Sequence, residues 1–123
     1  HSARNVRDFY HKTQVLRLAQ EIKAGGFPDM KSYLTCSSYD DWKKLLGTKW
    51  RGYCIGAMLC DYLFTHHQVW VGRALQYCQQ AGKTQEERSK AFAEFVENNW
   101  EGGYKDLGVE LQKWIRKCAM AHK

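Results

Sequence analysis

The sequence predicts an all-helical fold of six to eight helices packed around one buried hydrophobic central helix. Apolar residues recur at helical spacing in nearly every segment. The 123 residues include a single proline, Pro28, and so few prolines favour long helices. The most apolar segment, residues 53–64, is too short to cross a membrane. The length fits a single domain, residues 1–123.

Residues 5–24 form the first predicted helix, which ends at Gly25 and Gly26. After these glycines, Pro28 suits the first turn of a new helix. Residues 30–34 then predict one short helical segment. The apolar positions of the first helix are Val6, Phe9, Tyr10, Val15, Leu18, Ala19 and Ile22.

The next predicted helix begins at Ser38, a candidate N-cap with Asp41 three residues later. It ends at Gly47, and Thr48 is placed to cap the helix that follows. The apolar residues that share one face of this helix are Tyr39, Trp42, Leu45 and Leu46.

The central helix is predicted over residues 53–64, where Asp61 is the only charged residue. A helix that is apolar on nearly every side has to be wrapped by other helices. Residues 69–78 predict the next helix, which ends before Gly82. Its residues available for packing are Trp70, Ala74, Leu75 and Tyr77.

Two further helices complete the predicted fold. Thr84 and Glu87 form a capping box, and Gly102 and Gly103 interrupt the chain after the helix that they open. The packing residues of that helix are Phe92, Phe95 and Val96. The apolar stripe of the final helix consists of Tyr104, Leu107, Leu111, Trp114, Ile115 and Cys118.

The sequence contains no motif for catalysis, a metal or a cofactor, so we expect a protein that is not an enzyme. The five cysteines include no CxxC pair, which favours free, buried thiols in a reducing compartment. Adjacent His66 and His67 point about 100° apart on a helix and make a poor metal site. The lone Asp61 has to reach solvent or a partner, such as a nearby Lys or Arg. The net charge of +6 is spread along the chain and indicates a basic, solvated surface.

Two stretches resemble the BH1 and BH2 signatures of the Bcl-2 family, in the family's order. Residues 45–52 read Leu-Leu-Gly-Thr-Lys-Trp-Arg-Gly, similar to the BH1 pattern Leu-Phe-x-x-Gly-x-Asn-Trp-Gly-Arg, and they precede the predicted central helix. Phe95-Val96 followed by Gly102-Gly103-Tyr104 resembles the BH2 pattern Trp-Ile-x-x-x-Gly-Gly-Trp. Residues 6–10 are similar to the BH4 helix. The chain differs from the BH1 signature in the order of Arg51 and Gly52.

The resemblance implies a Bcl-2-like domain that inhibits apoptosis by holding BH3 helices of pro-death proteins in a hydrophobic groove. Residues 19–27 lack the Leu-x-x-x-Gly-Asp core of a BH3 motif, which favours a pro-survival member. The chain is short for the family and residues 114–123 are amphipathic and basic, so it resembles compact viral homologues without a transmembrane anchor. The implied partners are BH3 motifs of the Bim, Bak, Bax and Bid type. The implied location is cytoplasmic, with peripheral association at mitochondria and homodimerisation left open.

The resemblance also implies which residues bind the BH3 helix. Arg51 is the expected polar clamp for an acidic partner residue, and its replacement by Ala is expected to weaken BH3 binding by at least about tenfold. The floor is expected to consist of Trp50, Arg51, Gly52 and Cys54. The walls are expected to come from Tyr33, Leu34, Tyr39, Trp42, Leu45 and Leu46, with Gly103 and Tyr104 closing one end.

Two other functions stay open from the residues alone. A basic helical module that binds nucleic acid or another protein would lose nucleic-acid affinity steeply with salt, but the scattered cations make nucleic acid the less expected partner. A secreted helical cytokine would be expected to form disulfides, which an odd number of cysteines does not favour.

Overall fold

The computed structural model describes residues 2–36, 38–47 and 49–121, with side chains for residues 12–36, 38, 40–47 and 51–121. Within these residues the chain forms seven α-helices and no strand, which confirms the all-helical class and the predicted number of helices. The helices are α1 (Ser2–Lys23), α2 (Met30–Leu34), α3 (Tyr39–Leu46), α4 (Lys49–His66), α5 (Gln68–Ala81), α6 (Gln85–Asn99) and α7 (Gly103–Met120).

Local side-chain hydrogen bonds set several helix ends where the sequence predicts them. The Ser38 hydroxyl accepts from the backbone N–H of Asp41 at 3.1 Å and so opens α3. The Thr84 hydroxyl accepts from the N–H of Glu87 at 3.1 Å and donates to the Glu87 carboxylate at 2.8 Å. These bonds confirm both predicted N-caps. The predicted cap at Thr48 lies outside the described residues.

The start of α2 differs from the expectation. Pro28 lies before the helix and not in its first turn, and the N-cap is Asp29. The Asp29 carboxylate accepts from the N–H of Ser32 at 3.1 Å. Because this carboxylate caps the first turn, α2 begins at Met30, two residues after Pro28.

The core lies where α1, α4 and α7 meet. Val15, Leu18, Ile55 and Leu111 have no exposed side-chain surface, as is also true of Leu107. α7 contacts α1, α2, α4 and α6, and so forms one side of the core along its whole length. The stripes predicted for the first and last helices are therefore confirmed at these positions. The side chains of Val6, Phe9 and Tyr10 lie outside the described residues.

The predicted central helix is buried on one side only. α4 contacts α1, α3, α5 and α7, and these cover the side that carries Ile55 and Leu59. Its opposite side leaves Tyr53 62% and Phe64 54% exposed. The expectation of a helix wrapped on every side is therefore wrong, because the four helices that contact α4 leave one of its sides uncovered. The exposed residues of this stripe are Tyr53, Ala57, Cys60 and Phe64.

Two smaller expectations are corrected in the same part of the fold. All five cysteines are free, but only Cys54 and Cys78 are buried, and Cys60 is exposed on the outer side of α4. In α5 the predicted packing residue Leu75 is 53% exposed, whereas Val71 faces the core. None of the described helices is long and apolar enough to cross a membrane.

Candidate functional site

A groove of about 720 Å³ runs between α2 and α6 and ends at the first turn of α7. Its volume lies within the roughly 300–1,000 Å³ of typical ligand sites. We call it the α2–α6 groove. It is lined by Lys31, Leu34, Thr35 and Cys36 from α2 and the residues after it, by Gln85, Glu86, Ser89, Lys90, Ala93, Glu94 and Glu97 from α6, and by Tyr104 from α7.

The position of α2 depends on one buried side chain. Met30, at its first residue, is 2% exposed and packs against α7 at Gly108. A Cβ at Gly108 would lie only 3.0 Å from Met30 Cγ, so the glycine makes room for this anchor. Because Met30 holds one side of the short helix to α7, the half-buried side chain of Leu34 is left to line the groove.

Tyr104 closes one end of the groove. Its hydroxyl donates a hydrogen bond to the carbonyl of Ala93 at 2.7 Å, which ties the start of α7 to the middle of α6. The chain reverses between these helices at Gly102 and Gly103, whose φ angles are +82° and +66°. Only glycine adopts such angles without steric cost, so the double glycine permits the turn that brings Tyr104 back against α6.

The groove has an apolar floor and a mixed, mainly acidic rim. Leu34, Ala93 and Tyr104 supply the apolar surface. The rim carries three acidic residues, Glu86, Glu94 and Glu97, and two cations, Lys31 and Lys90. Burial raises the pKa of Tyr104 above its ordinary value, and the nearby Glu97 and Glu94 carboxylates raise it further. A negative potential therefore reaches the tyrosine that closes the groove.

Tyr33, Trp42 and Gly52 are brought together, but they form a packed corner outside the α2–α6 groove. The Tyr33 hydroxyl donates to the Gly52 carbonyl at 2.8 Å, and the Trp42 ring lies against the Gly52 backbone. Burial raises the pKa of Tyr33 to about 12. The corner fixes α2 and α3 to the first turns of α4, so these residues position the groove wall without lining the groove.

Arg51, the expected clamp, is engaged inside the protein. Its Nε donates to the Glu21 carboxylate at 2.9 Å, and this ion pair leaves the two side chains only 16% and 29% exposed. Its guanidinium also donates to the carbonyls of Leu46, at 3.3 Å, and of Gly26. Arg51 therefore joins the ends of α1 and α3 to the start of α4, and it does not line the α2–α6 groove.

Of the other predicted site residues, Leu34 and Tyr104 line the α2–α6 groove. Leu46 and Cys54 are buried in the core, at 3% and 2% exposure, and Leu45 is partly buried against it. Gly103 begins α7 beside the groove and does not line it. The side chains of Tyr39 and Trp50 lie outside the described residues.

Sequence reasoning missed the α6 wall of the groove. Its residues recur at positions 86, 89, 90, 93, 94 and 97, which is the spacing of one helix face. They are mostly charged or small, so a search for apolar stripes passes over them as a solvated surface. The signal that could have found them is the run of glutamates at helical spacing beside the predicted Tyr104 junction.

A second cluster lies at the turn between α4 and α5. The Tyr62 hydroxyl donates to the Glu110 carboxylate at 2.9 Å and lies 3.0 Å from His67 Nε2. Burial and this bond to Glu110 raise the pKa of Tyr62 to about 12. These contacts join α4 to α7 and give the His67 ring a hydrogen-bonding partner. The neighbouring Asp61 carboxylate accepts a hydrogen bond from the indole N–H of Trp114 at 3.0 Å. Among the described residues no group of three or more His, Cys, Asp or Glu side chains could hold a metal ion.

The fold and the groove define a class of protein: an all-helical domain with an open, partly apolar groove between two helices. The chain matches no family model, no curated protein and no solved structure. The groove and the residues that form it are therefore the features that indicate a function.

Proposed function

We propose that this protein binds an amphipathic helix of a partner protein in the α2–α6 groove, and that the partner helix is a BH3 helix of a pro-death protein. On this proposal the protein is a Bcl-2-like inhibitor of apoptosis that acts by sequestration, without catalysis. The observation that carries the proposal is the groove itself, with its apolar floor, charged rim and volume of about 720 Å³.

Binding in a groove between helices suits an amphipathic helix because its apolar side chains at i, i+3 or i+4 and i+7 enter the groove together. Each Leu, Ile or Phe that is fully buried contributes about 1.5–3 kcal/mol. A nanomolar complex needs about 12 kcal/mol after the costs of association and ordering. Three or four anchors against Leu34, Ala93 and Tyr104 contribute roughly 5–12 kcal/mol before those costs, so nanomolar affinity also requires contacts with the charged rim.

The BH3 assignment is supported by the position of the BH2-like segment. Residues 95–104 contain the end of α6, the double-glycine turn and Tyr104, and Tyr104 closes the groove. The role of the clamp differs from the expectation for Arg51, because that residue is paired with Glu21. Lys31 and Lys90 are the cations that line the groove, so we assign them the contact with an acidic residue of the partner.

The test is calorimetric titration of the purified protein with BH3 peptides of the Bim, Bak, Bax and Bid type. We expect a dissociation constant between nanomolar and low micromolar that changes little with salt. Ser89→Trp, which fills the groove from an exposed position of α6, should abolish binding. The matched control is Gln79→Trp, at an exposed position of α5 outside the groove.

Two results would contradict the proposal. If no BH3 peptide binds, the pro-survival assignment fails. If binding persists in Ser89→Trp, the helix binds outside the α2–α6 groove. A duplex oligonucleotide in the same titration tests the nucleic-acid alternative, which requires affinity that falls steeply with salt.

A further inference from the structure

The charges on the α6 wall follow a fixed order along the groove. Glu86 lies near one end, Lys90 in the middle, and Glu94 and Glu97 towards the other end. With a rise of 1.5 Å per residue, Glu86 and Glu94 are about 12 Å apart along the helix axis, and Glu94 and Glu97 about 4.5 Å apart. All four side chains are exposed and line the groove, so a bound helix would meet them in this order.

This acidic wall contrasts with the rest of the protein. The chain carries 19 Lys and Arg against 13 Asp and Glu, a net charge of +6, so its surface repels a basic partner on average. Within the groove three glutamates face two lysines. The groove is therefore locally negative on a chain that is positive overall, which favours a basic segment there.

The negative charge of the glutamates also acts on the floor of the groove. Tyr104 is bonded to Ala93 at the groove end, and the carboxylates of Glu97 and Glu94 disfavour the negative form of its phenol. The same field favours a cation placed there. The two glutamates thus act on the interior of the groove as well as on its rim.

We propose that the α2–α6 groove selects amphipathic helices whose apolar stripe is flanked by basic residues about eight to eleven positions apart, with an acidic or neutral residue midway, opposite Lys90. The spacing follows because a partner helix aligned with α6 has the same rise per residue. The proposal rests on the proposed function, since it assumes that a helix occupies the groove, and it adds the charge pattern that the partner carries.

The test uses two designed amphipathic peptides with identical Leu anchors. One carries Lys at the two flanking positions and Glu midway, and the other carries the opposite charges. We expect the first peptide to bind roughly tenfold more tightly in low salt, since a few exposed charge pairs act together. This preference should shrink as salt screens the exposed charges.

Charge reversal of the groove then isolates the cause. Glu94→Lys combined with Glu97→Lys should remove most of the preference between the two peptides, because only Glu86 and Lys90 then keep the original pattern, and Lys90→Glu should weaken the peptide with Glu midway. The control is Glu101→Lys, an exposed residue outside the groove that changes the net charge as much as Glu94→Lys does alone. It should leave the preference as in the wild type.

The possible outcomes distinguish the proposed charge pattern from the proposal that a helix binds in the α2–α6 groove. Equal affinities for the two peptides, both abolished by Ser89→Trp, would overturn the charge pattern and leave helix binding in the groove intact. Loss of the preference in Glu101→Lys would trace the effect to net charge and also overturn the charge pattern. No affinity for these peptides or for BH3 peptides would refute helix binding itself.

Discussion

The indole ring of Trp42 lies directly against the backbone of Gly52, so α3 meets α4 where no side chain separates them. The same glycine offers its carbonyl to the Tyr33 hydroxyl at 2.8 Å. One residue thus receives contacts from both α2 and α3. The wall of the α2–α6 groove that contains Leu34 depends on this corner, because α2 is only five residues long.

Replacing Gly52 by Ala should destabilise the protein by about 1–3 kcal/mol, because the new methyl group would overlap the Trp42 ring. The measurement is the free energy of unfolding in urea. Gly72→Ala is the matched control: Gly72 lies within α5 with no atom within 4 Å of the added Cβ, so it should stabilise by about 0.5–1 kcal/mol. Equal effects of the two substitutions would mean that Trp42 does not rest on Gly52.

Replacing Arg51 by Ala should lower the free energy of unfolding by about 1.5–3 kcal/mol, as is usual for lost hydrogen bonds to a charged group. The variant loses the ion pair with Glu21 and the bonds to the carbonyls of Leu46 and Gly26. Arg73→Ala, at an exposed position of α5, should change stability by less than about 0.5 kcal/mol.

The same variant separates the two roles considered for Arg51. If it stabilises the fold alone, peptide affinity at a temperature where Arg51→Ala is folded should equal that of the wild type. A loss of tenfold or more in a fully folded variant, with unchanged stability, would restore the role of clamp that the BH1 resemblance implies.

Alkaline pH should destabilise the protein between about pH 10 and pH 12. Burial raises the pKa of both Tyr33 and Tyr62 from 10.0 to about 12 in the folded state. Since the unfolded chain loses these protons first, their contribution to stability is complete below pH 10 and is lost as the pH rises through the folded pKa. Absorbance at the tyrosinate band and urea midpoints across this range measure both effects.

Tyr62→Phe is the informative variant for this prediction. It removes the Tyr62 hydroxyl, whose pKa is raised, together with the bond to Glu110, so its unfolding free energy should fall less steeply with pH than that of the wild type. An unchanged slope would show that Tyr62 ionises normally in the folded protein.

Short-range features of this fold could be predicted because their causes lie within a few residues. The caps at Ser38 and Thr84 need only a hydroxyl and an N–H group three residues later. The helix ends at Gly47 and Gly82 also have a local cause, because glycine is favoured just after the last residue of a helix. The stripe of Leu107, Leu111 and Ile115 predicted a buried face because its period matches the helix.

The candidate site could be predicted only in part. Leu34 and Tyr104 belong to it, but the wall between them comes from α6, more than 50 positions after α2. Arg51 illustrates the same difficulty, because its partner Glu21 lies thirty positions away, in α1. A side chain that the sequence leaves free to bind a ligand can instead bind another part of the same chain once the fold brings the two together.

By itself, the sequence determined the helical class, the number of helices, most helix ends and much of the core, since these follow from local hydrogen bonding and from the period of apolar residues. Only the tertiary structure decided which side of α4 is covered, that Arg51 pairs with Glu21, and that α2 and α6 enclose a groove. Those features depend on contacts between residues distant along the chain, where several pairings bury similar apolar area and packing selects among them.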